Sequence, residues 1–323
     1  MSLDPLPPTI TLSHGAPRGQ TRRDGAPSTV AGVEVDVSLA AGGRIRQIRL
    51  HDDSGSDPVE VFAEAPLDAP AWSTGWGSFP MAPWAGRVRQ GRLHVFDRTT
   101  QLHLNHEDGD GDGGGPLHPP VPGPDDSPRR HAIHGTVFDR AWSVDLLETS
   151  AVEMHCRIDT ALGWPFPGIA RQRIEVTATQ VALALVVESV DGAVFPASIG
   201  WHPWFAKPTQ LHLDALAMYE LDETGLPTGA LVEPSSGPWD DCFVARWPIE
   251  LDYDRAIAST ITVSSDCDHV VIFDKPPHAT CVEPQSGPPD ALARRPQLVA
   301  PGMPLVRTMA IGWSPRRGRP TSD

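Results

Sequence analysis

A chain of 323 residues is long enough for one large core or two ordinary ones. A net charge of -15 argues against nucleic acid and anionic membrane surfaces as main partners, since like charges repel, and the basic charge is nearly all arginine. An apolar fraction of 40% and a charged fraction of 21% fit a soluble globular protein whose ligand is small and neutral.

In chain order, residues 1–27 lack an apolar h-region and read as a loose segment with no secretory signal. Candidate strands follow at Val33–Leu39, Arg44–Leu50 and Gln101–Asn105, then, beyond a long insertion, at Trp142–Leu147, Val152–Ile158, Ile169–Thr177 and Val181–Ser189. The last group is Leu211–Asp214, Thr260–Ser264, His269–Phe273 and Val306–Trp313, with a hint of helix only at Pro289–Ala293. RQRIEVT alternates, with Gln172, Ile174 and Val176 facing opposite to Arg173, Glu175 and Thr177, whereas the following VALALVVE reads as a strand buried on both faces. Short apolar runs divided by 35 prolines and 29 glycines are the punctuation of an all-β protein, a large antiparallel sandwich or barrel.

No composition shift marks a linker, so 28–314 reads as one domain, followed by a tail over 315–323. The Gly-, Pro- and Asp-rich stretch 105–130 is a surface insertion. Its DGDGDG run (Asp108–Gly113) matches the first half of a calcium loop, but Pro119 stands where the twelfth-position glutamate belongs, so it reads as a solvated acidic loop. Cys156, Cys242, Cys267 and Cys281 show no C-x-x-C spacing and read as reduced, buried thiols of a cytoplasmic protein. No apolar run reaches the length of a membrane span.

Four stretches are too elaborate for packing alone: MAPWAGRVRQGRL with Arg87, HAIHGTVFDRAW with His131 and His134, ASIGWHPWFAKP with His202, and CVEPQSGPPDAL with Glu283. Each reads as a strand end or turn of Pro, Gly and aromatics around a polar group, the way a β scaffold presents a small-molecule site. His202 precedes a proline, which biases it to extended backbone, and its side chain titrates nearest neutrality. His131 and His134 have no third ligand at metal spacing, and a two-His, one-carboxylate site of His134, His202 and Glu283 ranks below acid/base chemistry.

Together these pieces resemble the aldose 1-epimerase (galactose mutarotase) family. The matching segments run in the family's order from about Trp84 to Ala291: Pro-x-x-x-Arg with Arg87, the His-Gly turn at His134, the His-Pro-aromatic-Phe piece at His202, DDCF at Asp240–Phe243, and the Glu-Pro-Gln run from Glu283. The resemblance implies a galactose mutarotase-like supersandwich with Glu283 as catalytic base and His202 as catalytic acid on opposite sides of the sugar ring. It implies that His134, Arg87 and Asp240 hold the ring oxygen and hydroxyls, with Gln285 and Trp204 also at the substrate. A ring face of Trp204, Trp84 or Trp76 is then available for a sugar's C–H face. Gly86, Thr136 and Trp204 depart from the residues many members carry there, and Asp241 competes with Asp240.

The implied chemistry interconverts the α and β anomers of an aldose with no cofactor and no metal, in a monomer or homodimer, and leaves open which sugar and whether it is phosphorylated. Alternatives are a non-catalytic sugar-binding or regulatory protein, or a hexose-phosphate mutarotase using Arg87, Arg89 and Arg92.

Overall fold

The computed structural model describes residues 9–15, 30–64, 74–107, 130–160, 163–294 and 296–315. The DGDGDG run and nearly all of the predicted insertion and C-terminal tail therefore lie outside the described residues.

The predicted all-β class is what is found. Seventeen strands share one hydrogen-bonded network, and every ladder in it is antiparallel. The pairings trace two layers. One runs through Gly32–Ser38, Arg44–His51, Ser78–Met81, Gly200–Ala206, Ala279–Gln285 and His269–Phe273. The other runs through Ser143–Leu147, Ala151–Ile158, Gly168–Val176, Gln180–Ser189, Leu305–Ser314 and Thr260–Ser265. The 13-residue strand Asp240–Asp252 belongs to both, pairing at its start with His269–Phe273 and at its end with Thr260–Ser265. A curled sheet that closes this way buries the inner face of each layer against the other.

Residue parity explains the core. In Gly200–Ala206 the odd positions Trp201 and Phe205 point into the main core, and across it the Trp201 indole N–H donates to Gln172 Oε1 at 2.8 Å. Gln172 in turn donates to the Gly43 carbonyl at 2.8 Å, so a buried polar bridge spans the layers with its groups satisfied. RQRIEVT alternates as expected: Gln172, Ile174 and Val176 are buried.

Three expectations change. Thr9–Gly15, inside the segment read as loose, pairs along its whole length with Gly32–Ser38 and buries Ile10 and Leu12, an alternation that the surrounding prolines and glycines obscured. VALALVVE is buried on one face only: Val181, Leu183, Leu185 and Val187 are inside, while Ala182, Ala184 and Val186 are half-exposed on an outer surface that small residues keep shallow. The strand placed at Gln101–Asn105 is instead Arg98–Gln101, a hairpin partner of Arg92–Val95. Beyond it, the Asn105 amide imitates a strand, accepting from Ile133 N at 2.7 Å and donating to Ile133 O at 3.2 Å. The helical hint survives as a single turn, Ala291–Arg294.

Candidate active site

The outer face of the first layer carries the polar side chains. Gly200–Ala206 lies between Ser78–Met81 and Ala279–Gln285. Its even positions, His202 and Trp204, face away from the core that Trp201 and Phe205 fill, and on Ala279–Gln285 the odd positions Cys281, Glu283 and Gln285 share that outward face. Contrary to expectation, His202 is not on a turn but in mid-strand. Two prolines explain why the segment looked broken: Pro203 and Pro284 have no N–H, and the ladder lapses between the pairs Gly200–Gln285 and Trp204–Cys281. Within that gap His202 and Glu283 stand opposite each other.

His202 Nε2 lies 3.3 Å from Glu283 Oε1, with 7% and 4% of the two side chains exposed. Glu283 Oε2 accepts from Gln285 Nε2 at 3.1 Å, which leaves Oε1 to the histidine. The expectation of opposite sides is thus corrected, because register sets the two groups side by side. Phe79 lies over one side of the imidazole at 4.9 Å and 27°, and the Trp204 indole stacks on it at 5.4 Å and 9°. His134 meets it edge-on at 4.9 Å and 89°.

His134 owes its place to an unusual turn. It holds φ +60°, and Gly135 follows at φ +83° against the strand from Ser78, where a Cβ would sit 1.9 Å from the Ala82 carbonyl oxygen. His134 N donates to Gly86 O at 3.0 Å and Thr136 N to Ala82 O at 2.8 Å, so the Arg87 loop and the His134 turn are clamped together. Arg87 reaches Asp240 at 3.6 Å. Asp290 joins the same framework: its N–H donates to Arg87 O at 2.7 Å and its carboxylate accepts from Arg89 N at 3.0 Å. His131 is buried as a structural group, accepting from Gln90 N at 3.1 Å.

Strand parity separates the two aspartates. Asp240 pairs with Phe273, which pairs with Cys281, so Asp240 shares the outward face of Cys281 and Glu283 and its charge is felt at Glu283. Asp241, one residue on, belongs to the other face.

Two participants were not legible in the sequence. Arg44 is fully buried, donating to the carbonyls of Ala41 at 2.8 Å, Trp76 at 3.2 Å and Phe138 at 3.1 Å. Its guanidinium lies 4.0 Å over Trp76 and 4.8 Å over Phe79, the ring that carries His202. A lone arginine after Gly-Gly reads as a surface charge, and nothing in RIRQIRL distinguishes it. Phe79 was invisible for the same reason. The tryptophans are corrected: Trp84 packs into the main core against Trp164 at 5.6 Å, Trp76 lies under Arg44, and Trp204 has the His202 ring against its face. None presents the bare indole face that was expected for a sugar.

Burial sets the electrostatics. It pushes Glu283 up to about 8 from its ordinary 4.5, reinforced by the Asp240 charge and opposed by Gln285 and Arg87. Burial also pulls His202 down to about 3, helped by Arg44 and Arg87. Both shifts disfavour charge, so across the neutral range the pair holds one proton between two adjacent basic atoms. Such a pair offers one donor and one acceptor to a ligand that bears a proton on one oxygen and needs one on its neighbour. Among the described residues, the ligand atoms that converge as a metal would require are those of His202, Cys281 and Glu283, within 4.8 Å of one another, and not the His134-containing trio considered from sequence.

The family model for aldose 1-epimerase matches residues 31–292. The fold resembles an aldose epimerase homologue from C. elegans at 13% identity, covering 95% of this chain and 99% of that one with a TM-score of 0.69. It resembles a galactose mutarotase-like protein from Clostridium acetobutylicum at 14% identity, with 88% and 93% covered and a TM-score of 0.68. It also resembles the galactose 1-epimerase from Lactobacillus acidophilus NCFM at 14% identity, with 94% and 98% covered and a TM-score of 0.61. At these identities the structural likeness speaks for the fold. No curated protein sequence matches the chain.

Proposed function

The chain belongs to the aldose 1-epimerase family, and from that membership we propose that it interconverts the α and β anomers of an aldose by acid/base-catalysed opening and closing of the sugar ring. The observation that carries this reading is the buried His202–Glu283 contact of 3.3 Å, at which burial disfavours charge on both groups. The two oxygens that must exchange a proton, the C1 hydroxyl and the ring oxygen, sit on the same carbon. A donor and an acceptor standing side by side therefore reach both.

Ring opening begins as the shared proton passes from Glu283 to His202 across their 3.3 Å contact; Glu283 then takes the C1 hydroxyl proton while His202 delivers the shared one to the ring oxygen. The C1–O5 bond breaks as C1 becomes an aldehyde. Rotation about C1–C2 turns the other carbonyl face to the C5 hydroxyl, and closure returns both protons by the reverse route. Gln285 keeps Glu283 Oε1 toward the reacting atoms, and Phe79 and Trp204 fix the imidazole plane and limit water around it. Arg87, Asp240 and His134 border the same face and hold the hydroxyls.

A non-catalytic sugar-binding role has no need of a proton-sharing pair in a dry site. For a hexose phosphate, the arginines are already engaged: Arg87 faces Asp240 at 3.6 Å, and Arg89 is held by Asp222 at 2.7 Å and Asp290 at 3.6 Å. Arg92 lies exposed on the hairpin strand Arg92–Val95. A free aldose is the substrate this supports. The test follows α-to-β conversion by NMR over a panel of free and phosphorylated aldoses. Conversion of one or more free sugars well above the buffer rate is expected, and buffer-level rates throughout would overturn the reading.

A further inference from the structure

Anomerisation uses a nitrogen and an oxygen of the site and leaves a sulfur beside them unemployed. Cys281 and Glu283 are two residues apart on one strand and so share a face, and His202 meets them from the neighbouring strand. Their ligating atoms all lie within 4.8 Å of one another, and the histidine nitrogen and carboxylate oxygen are already 3.3 Å apart, close to the spacing of two ligands on one small cation. A thiol, an imidazole and a carboxylate together are a donor set that zinc takes, whereas magnesium and calcium prefer all-oxygen surroundings.

A divalent cation bound here is held by one thiolate, one carboxylate and one imidazole, and the protons these groups give up leave to water. Asp240, on the same outward face, adds a negative charge beside the three ligands.

We propose that His202, Cys281 and Glu283 form an inhibitory site for one thiophilic divalent cation per chain, of which Zn2+ is the natural occupant. The ion ties up both proton-transfer atoms at once. The inhibition rests on the anomerisation reading above, whereas the coordination does not.

The experiment titrates Co2+, then Zn2+, into the parent and Cys281→Ser, with Mg2+ as a control, recording both absorbance and anomerisation. One Co2+ per chain is expected, with a near-ultraviolet thiolate-to-cobalt band that Zn2+ abolishes and Mg2+ does not. Zn2+ should suppress anomerisation in the parent. In Cys281→Ser the band is absent, the metal-free rate is near that of the parent, and at least tenfold more Zn2+ is needed for the same suppression. Should the serine variant fail to fold, Cys281→Ala serves in its place. Absence of the cobalt band, inhibition that ignores the Cys281 substitution, or acceleration by Zn2+ would each overturn the proposal. If no aldose is anomerised, the band and its loss in the variant still decide the coordination.

Discussion

Glu283 stands across the strand gap from His202, and the 3.3 Å between their side chains makes a single proton the common property of two residues that are 81 positions apart in the sequence. The pH profile follows from that sharing. Below the His202 value of about 3 the pair gains a second proton and has no acceptor, and above the Glu283 value of about 8 it loses its only proton and has no donor. Anomerisation should therefore stay high through the neutral range and fall in the alkaline limb as the pair deprotonates. The measurement is kcat against pH for the best aldose. An alkaline limb unchanged when Glu283 is replaced would assign that ionisation elsewhere.

Glu283→Gln removes one proton carrier while keeping shape. Anomerisation should fall by ~100-fold or more, the usual scale for a lost general base. Stability should move the other way. A carboxyl whose folded-state value is raised from 4.5 to about 8 stabilises the fold while it holds its proton, and that contribution is lost as pH rises through this window. The variant cannot suffer the loss. It should match the parent near pH 4.5 and exceed it at pH 8 and above, as chemical unfolding at the two pH values will show.

His202→Asn retains a hydrogen-bonding group but not the proton chemistry. A fall in kcat of ~100-fold with a smaller change in sugar affinity is expected, because the lost interaction belongs to the transition state. A variant of lower melting temperature and normal kcat would reduce His202 to packing.

Arg44 acts on His202 through Phe79 and at a distance. Burial draws its guanidinium down to about 9, so it is still charged at neutral pH and holds protons off the imidazole. Arg44→Lys keeps the charge but not the fork that reaches three carbonyls, and it should cost stability, since each buried carbonyl left without a donor costs about 1–3 kcal/mol. Arg44→Gln should in addition move the acid limb of kcat to higher pH, because His202 then takes up its second proton more readily. Equal acid limbs in the two variants would confine Arg44 to structure.

Gly200 marks how tightly the strands approach at the site. A Cβ there would lie 2.1 Å from the Pro284 carbonyl oxygen, directly beside the His202–Glu283 gap. Gly200→Ala should destabilise the fold by about 1–3 kcal/mol, the usual cost of overpacking, and lower kcat by separating the strands that carry the pair. Thermal unfolding and steady-state anomerisation on the same sample check both.

Local chemistry was enough for the sequence to settle the all-β class and the facing of RQRIEVT and to single out Arg87, His134, His202 and Glu283, whereas Asp240 and Gln285 came only from the family resemblance; all six border one face. Alternation and turn residues act over a few positions and can be read along the chain. The long strand Asp240–Asp252 keeps one inward parity, with Phe243, Ile249 and Leu251 in the core and Ala245 and Trp247 packed against it, but Pro248 reads as a break and hid its length. The mid-strand place of His202 was hidden too, since a proline reads as a break until a second proline, Pro284, is found on the neighbouring strand within the same lapse of the ladder. Only register could put Asp240 rather than Asp241 on the face of Glu283, place Cys281 beside His202 and Glu283, and set those two side by side. Only packing could bury Arg44 beneath Phe79. These are relations between residues far apart in the chain, and the free energy that fixes them, burial and cross-strand pairing, exists only once the sheet has closed.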